Sequence, residues 1–105
     1  MQQPVIVAAV RTPVGAIGGG LASLQAQDLA TICLKNVLAS VSLDPTLVEY
    51  TCLGWVMQDP RSPNVAKTAA EKAGVPPTSP GTTFHENCAS GGAAIHSLAR
   101  RIALD

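Results

Sequence analysis

Cys88 is the residue whose type and surroundings best suit covalent chemistry. Six residues with little side-chain bulk follow it, at positions 89–94. The pattern predicts a strand over 82–85 and a helix over 88–104, so Cys88 would lie where the helix begins. Backbone amides at a helix N-terminus favour the thiolate, the nucleophilic form of cysteine. We therefore predict that Cys88 is a nucleophile, although position alone leaves open a buried cysteine in an alanine-rich core helix.

Strands and helices that alternate along the chain are expected to position this cysteine. The predicted order is a strand over 5–10, a glycine-rich loop over 15–20, a helix over 27–41, a strand over 49–57, a helix over 64–73, a strand over 82–85 and a helix over 88–104. The continuous apolar run at 5–10 is typical of a strand buried on both faces. Asn64 should cap the second helix and Gly74 should end it. This alternation implies an α/β fold with a mainly parallel sheet and right-handed crossovers.

Each amphipathic helix is predicted to bury one face. In the first helix that face comprises Ala30, Cys33, Leu34, Val37, Leu38 and Val41. Thr31 falls on the opposite, polar side. In the third helix the buried face comprises Ala94, Ile95, Leu98 and Ile102. Cys33, on the apolar face, and Cys52, at the start of a strand, are predicted to be inert core residues.

Composition limits the classes of protein and partner. The 105 residues suffice for one domain, and a hydrophobic content of 47% excludes a disordered chain. Only 13% of residues are charged, so we expect apolar surface to contact more protein, as in a homo-oligomer. The net charge of zero and the short apolar stretches indicate neither nucleic acid nor a membrane as partner. Three cysteines without a C-x-x-C pair and no signal sequence predict a reduced, cytoplasmic protein.

Other candidate residues have simpler explanations. His85 could serve as a base for Cys88, but a separation of three along an extended strand does not by itself bring the two side chains together. His96 is expected at an interface or in solvent. The loop over 15–20 matches no phosphate-binding pattern, and Arg11 is expected to form a structural hydrogen bond. The two histidines have no metal-ligand spacing, so no metal is predicted.

Several segments, in order along the chain, resemble thiolases. They are residues 5–15 with the motif Arg11-Thr12-Pro13-Val14-Gly15, residues 18–21, residues 53–58, residues 64–76, and Glu86-Asn87-Cys88-Ala89-Ser90-Gly91-Gly92-Ala93-Ala94, which matches the acyl-enzyme signature of the family. The resemblance implies the layered α/β fold of thiolases. Residues 1–105 would then be a partial amino-terminal domain, truncated at its carboxyl end, within the first of two similar α/β halves.

The same resemblance implies an acyl-CoA:acetyl-CoA C-acyltransferase. Cys88 would attack the ketone of a 3-ketoacyl-CoA, release acetyl-CoA and hold the acyl group as a thioester until CoA accepts it; the reverse reaction is a Claisen condensation. No cofactor is implied, because CoA thioesters are substrates. The expected partners are acyl-CoA, CoA and the missing carboxyl-terminal portion. The activating histidine and a second cysteine belong to later motifs of the family, so the chain alone is expected to be inactive.

Two other functions stay open at this point. One is a non-catalytic dimerisation or interaction module of thiolase fold, and the other is a relative of the ketoacyl synthases. The Arg-Thr-Pro-x-Gly segment at positions 11–15 favours a thiolase over a synthase. His85 stands where many relatives have Asn, and Trp55 stands where a small polar residue is frequent. These two differences could place the chain in a different thiolase subfamily. The sequence does not assign any substrate-binding residue.

Overall fold

The computed structural model describes residues 1–105 as two parallel strands with three α-helices and one short 3-10 helix. The elements are α1 (Ala26–Ser40), the 3-10 helix (Pro45–Leu47), β1 (Thr51–Gly54), α2 (Val65–Lys72), β2 (Gly81–Phe84) and α3 (Ser90–Leu104). Thr51 lies opposite Gly81, and Gly54 lies opposite Phe84. The predicted α/β class with a parallel sheet is confirmed. None of the helices combines the length and apolar character that crossing a bilayer requires.

The helices α2 and α3 cover opposite faces of the two strands. On one face, the Thr83 hydroxyl accepts a hydrogen bond from the backbone N–H of Ala66 in α2, at 3.1 Å. On the other face, the hydroxyl oxygens of Thr82 and Tyr50 are 2.6 Å apart. The guanidinium of Arg101 in α3 lies 4.0 Å from the centroid of the Tyr50 ring. Because neighbouring side chains of a strand point to opposite faces, these contacts place the sheet between the two helices.

The core is centred on α2, whose small side chains let its neighbours approach closely. The buried apolar residues are Val65, Ala66, Ala69, Ala70, Ala73, Val75 and Ala94. As predicted, Asn64 caps the helix by accepting a hydrogen bond from the N–H of Lys67. Its side-chain amide also donates to the carbonyl of Gly81, at 3.0 Å, which ties the start of α2 to β2. Gly74 follows the helix with a φ of 96°, a left-handed conformation that favours glycine.

The predicted first strand, over residues 5–10, is not formed. This segment has no strand assignment, and Val5 and Ile6 are 71% and 80% exposed. A strand needs a neighbouring strand for its backbone hydrogen bonds, and β1 and β2 pair only with each other. The prediction was wrong for this structure because an apolar run indicates a preference for burial but does not supply a partner.

Individual side chains also depart from the predicted faces. Thr31, assigned to the polar side, is the buried residue of α1, and its hydroxyl donates to the carbonyl of Gln27 at 2.7 Å. Burial is tolerated because that hydrogen bond satisfies the hydroxyl. Ile95, assigned to the buried face of α3, is 60% exposed. Cys33 and Cys52 are partly exposed rather than fully buried. Helical periodicity places residues on a face, but the neighbouring elements decide how much of that face is covered.

Candidate functional site

Cys88 lies in a tight turn between β2 and α3, and it is exposed to solvent. The helix begins at Ser90, two residues later than predicted, with Ala89 as its N-cap. Asn87 has a φ of 50°, which is unusual for a residue other than glycine. This conformation turns the chain before the helix can start, so Cys88 belongs to the turn rather than to the helix. Its exposure does not fit the alternative of a buried cysteine in a core helix.

The small residues around Cys88 leave open space beside it. A surface depression of about 560 Å³ is lined by Glu86, Cys88, Ala89, Gly92, Ala93, Ile95 and His96. A Cβ atom added at Gly91 or Gly92 would meet no atom within 4 Å apart from the neighbouring backbone of its own helix. Close packing within this chain therefore does not explain the two glycines. The depression leaves open space beside Cys88.

Gly54, at the end of β1, sets the position of this turn. A Cβ atom at Gly54 would lie 2.5 Å from the amide nitrogen of Gly91, closer than real Cβ contacts allow. The first turn of α3 therefore rests directly on the backbone of β1. The absence of a side chain at Gly54 allows the turn that carries Cys88 to sit at the carboxyl end of the sheet.

We predict that Gly54→Ala destabilises the complete protein by about 1–3 kcal/mol, because backbone atoms cannot easily move away from the added methyl group. The measurement is the midpoint of thermal unfolding. Gly20→Ala is the matched control, since a Cβ atom there would contact nothing within 4 Å. The control should stay within about 0.5 kcal/mol of the unmodified protein. Equal stability of the two variants would contradict the close packing at Gly54.

The buried hydroxyl of Ser90 stabilises this turn through two hydrogen bonds. Its hydroxyl accepts a hydrogen bond from the backbone N–H of Glu86, at 2.9 Å, and donates to the carbonyl of Asn87, at 2.6 Å. The N–H of Ala89 also donates to the carbonyl of Glu86, at 3.0 Å. Cys88 lies within this hydrogen-bonded turn, so its backbone is anchored on both sides.

Of the other candidate site residues considered from the sequence, only His96 lines the depression beside Cys88. His85 is exposed and forms no hydrogen bond, and the depression beside Cys88 does not include it. His96 is also exposed, but it lines that depression. Arg11 donates only to the carbonyl of the adjacent Thr12, at 3.3 Å. No group of three or more His, Cys, Asp or Glu side chains is arranged to hold a metal ion.

The environment of Cys52 differs from that of Cys88. Burial raises the pKa of the Cys52 thiol, and this effect outweighs a hydrogen bond with Ser97 and the positive charge of Arg101. Because only the thiolate is strongly nucleophilic, Cys52 should react slowly at neutral pH.

Sequence reasoning did not assign roles to Gly54, Asn87 or Ser90. A single glycine within a strand pattern is a known sign of close backbone approach, so Gly54 could have been found. The left-handed conformation of Asn87 and the two hydrogen bonds of Ser90 depend on tertiary geometry. The sequence contains no pattern from which this conformation or these hydrogen bonds could be predicted.

Comparison with known proteins identifies the family. A model of the thiolase N-terminal domain matches residues 4–105. An acetyl-CoA acetyltransferase from Chromobacterium violaceum is 40% identical over 97 residues, which cover 92% of this chain and 25% of that protein. The chain therefore spans about a quarter of the length of this relative.

Solved structures agree with this assignment. The crystal structure of the Bacillus anthracis acetyl-CoA acetyltransferase has a TM-score of 0.94 and 38% identity, covering 99% of this chain and 26% of its own. The Acat5 thiolase from Ascaris suum, in complex with coenzyme A, has a TM-score of 0.88 and 29% identity, covering 92% of this chain and 25% of its own. The turn that presents Cys88 is thus part of a thiolase fold, and the chain belongs to the thiolase family, whose N-terminal domain it matches.

Proposed function

We propose that the protein containing this chain is an acyl-CoA:acetyl-CoA C-acyltransferase in which Cys88 forms the acyl-enzyme. The observation that carries the proposal is an exposed cysteine in a tight strand-to-helix turn of a thiolase N-terminal domain. Its relatives are acetyl-CoA acetyltransferases, and one structural neighbour is in complex with coenzyme A. These relatives support acyl-CoA and CoA as the ligands of this protein.

The cleavage reaction divides into two acyl transfers. The Cys88 thiolate attacks the ketone carbon of a 3-ketoacyl-CoA and forms a carbon–sulfur bond. The bond between the second and third acyl carbons then breaks, and its electron pair stays on the departing acetyl-CoA, which takes up a proton. A base then takes the proton of the CoA thiol, and the CoA sulfur attacks the thioester. Cys88 leaves as the thiolate while the shortened acyl-CoA departs. The reverse sequence condenses two acyl-CoA units.

Residues 1–105 supply part of this machinery. The backbone N–H of Cys88 donates to no acceptor within the chain, so it is available to the oxygen that becomes negatively charged during attack. We propose that the base and the proton donor come from the remaining part of the protein. We further propose a homo-oligomer, because the apolar side chains of residues 5–17 are extensively exposed in this chain. A cytoplasmic location is part of the proposal, because the three cysteines are free.

Alkylation of the complete protein tests the identity of the nucleophile. With limiting iodoacetamide, we expect Cys88 to be modified before Cys33 and Cys52, because Cys88 is the exposed cysteine and burial disfavours the Cys52 thiolate. Peptide mass spectrometry measures the order of labelling. Preferential labelling of Cys33 or Cys52 would contradict the assignment.

Incubation with acetyl-CoA tests the chemistry itself. One acetyl group should appear on the peptide that contains Cys88, and added CoA should remove it. A complete protein that binds a partner subunit but never acquires this acetyl group would instead support the non-catalytic interaction module.

A further inference from the structure

Ser90 combines deep burial with two hydrogen bonds to the turn that carries Cys88. Ser90 is only 4% exposed to solvent. The hydroxyl accepts a hydrogen bond from the backbone N–H of Glu86, at 2.9 Å, and donates one to the carbonyl of Asn87, at 2.6 Å. Both partners precede Cys88 in the chain, while Ser90 follows it. The hydroxyl therefore links the two sides of the nucleophile's backbone.

These hydrogen bonds are not those of an ordinary helix cap. A capping serine precedes the helix and accepts hydrogen bonds from N–H groups of the first helical turn. Ser90 is itself the first residue of α3, and Ala89, at the N-cap, has no capping side chain. The Ser90 hydroxyl contacts the preceding turn instead. It therefore contributes to the shape of the turn more than to the start of the helix.

The turn needs such support because Asn87 is held in the left-handed region, with a φ of 50°. Residues other than glycine occupy this region at some cost, and surrounding contacts must maintain it. Behind the turn, the backbone of Gly54 packs against the first residues of α3, which keeps Ser90 from moving away. The turn is thus fixed by the Ser90 hydroxyl on one side and by β1 on the other.

We propose that Ser90 is a positioning residue, whose buried hydroxyl fixes the Glu86–Ala89 turn and so aims the sulfur of Cys88 at the reacting carbonyl carbon. Because it is buried, Ser90 acts through Cys88 and does not touch the substrate. This inference rests on the proposed function, since the orientation of the sulfur matters only if Cys88 attacks the substrate. Loss of orientation at a reacting group lowers the rate of reaction far more than it lowers binding.

Ser90→Ala in the complete protein is the test. We expect kcat to fall about 10- to 100-fold, while KM for the acyl-CoA changes by less than about 3-fold. Ser79→Ala is the matched control, because Ser79 is also buried, at 7% exposure, but its hydroxyl has no hydrogen-bond partner. The control should keep the kcat of the unmodified protein. A Ser90→Ala kcat within about 2-fold of normal, or an equal loss in Ser79→Ala, would overturn the proposal.

Amide hydrogen exchange gives a second measurement that does not depend on catalysis. In the unmodified protein the N–H of Glu86 should be protected, because it donates to the Ser90 hydroxyl although Glu86 is exposed. In Ser90→Ala this amide should exchange faster, whereas Ser79→Ala should leave it unchanged. An unprotected Glu86 amide in the unmodified protein would overturn the proposal even if Ser90→Ala failed to fold. A protein with a protected Glu86 amide but no Cys88 acylation would instead contradict the proposed function.

Discussion

Cys88→Ala in the complete protein is expected to lower the rate of 3-ketoacyl-CoA cleavage by about 10³-fold or more. Removal of the sulfur removes the atom that forms the acyl-enzyme, so the reaction loses its covalent route. The measurement is the CoA-dependent cleavage of a 3-ketoacyl-CoA at saturating substrate. Cys88→Ser should also lose most of the activity, because an alcohol is far less ionised than a thiol at neutral pH.

Cys33→Ala serves as the matched control for this substitution. Cys33 is a free cysteine on α1, far along the chain from the turn that holds Cys88. Its replacement should leave kcat close to that of the unmodified protein, and thermal unfolding of both variants should show that they fold. Cleavage that persists in Cys88→Ala at the normal rate would rule out Cys88 as the nucleophile.

Residues 1–105, produced as a separate chain, are expected to show no measurable thiolase turnover. Covalent cleavage needs a nucleophile, a base, a proton donor and stabilisation of the negatively charged oxygen. Within this chain Cys88 is the proposed nucleophile, and its N–H, which has no acceptor in the chain, is the proposed donor to that oxygen. His85 is exposed and does not line the depression beside Cys88, so it is not a candidate for the base. One nucleophile with one donor is not sufficient for turnover.

The separate chain is also expected to self-associate. Val5, Ile6, Val7, Val14 and Ile17 are each more than two-thirds exposed. An apolar segment of this kind without a neighbouring strand favours association with other chains. Light scattering measures the mass, and the complete protein assayed in parallel is the control. A monodisperse monomer with turnover near that of the complete protein would contradict both expectations.

Local signals were sufficient for much of the fold. The helical spacing of apolar residues located α1 to within one residue at each end, because one face of a packed helix must be apolar. Asn64 and Gly74 marked the limits of α2, because a helix leaves backbone groups that only certain residues satisfy or accommodate. The alternation of strands and helices predicted a parallel sheet. Each of these signals depends on residues that are close together in the chain.

Sequence alone also singled out Cys88, since few residue types can act as nucleophiles and its small neighbours mark an accessible position. Its surroundings were decided by tertiary structure. The missing strand at residues 5–10 shows that an apolar run does not form a strand without a partner. Gly54 meets the start of α3 only because β1 and α3, far apart in the chain, pack together. The turn at Asn87 and the hydroxyl of Ser90 are held by hydrogen bonds whose geometry no local pattern encodes. The candidate nucleophile could therefore be chosen from the sequence, whereas its exposure in a tight turn depends on how the chain packs.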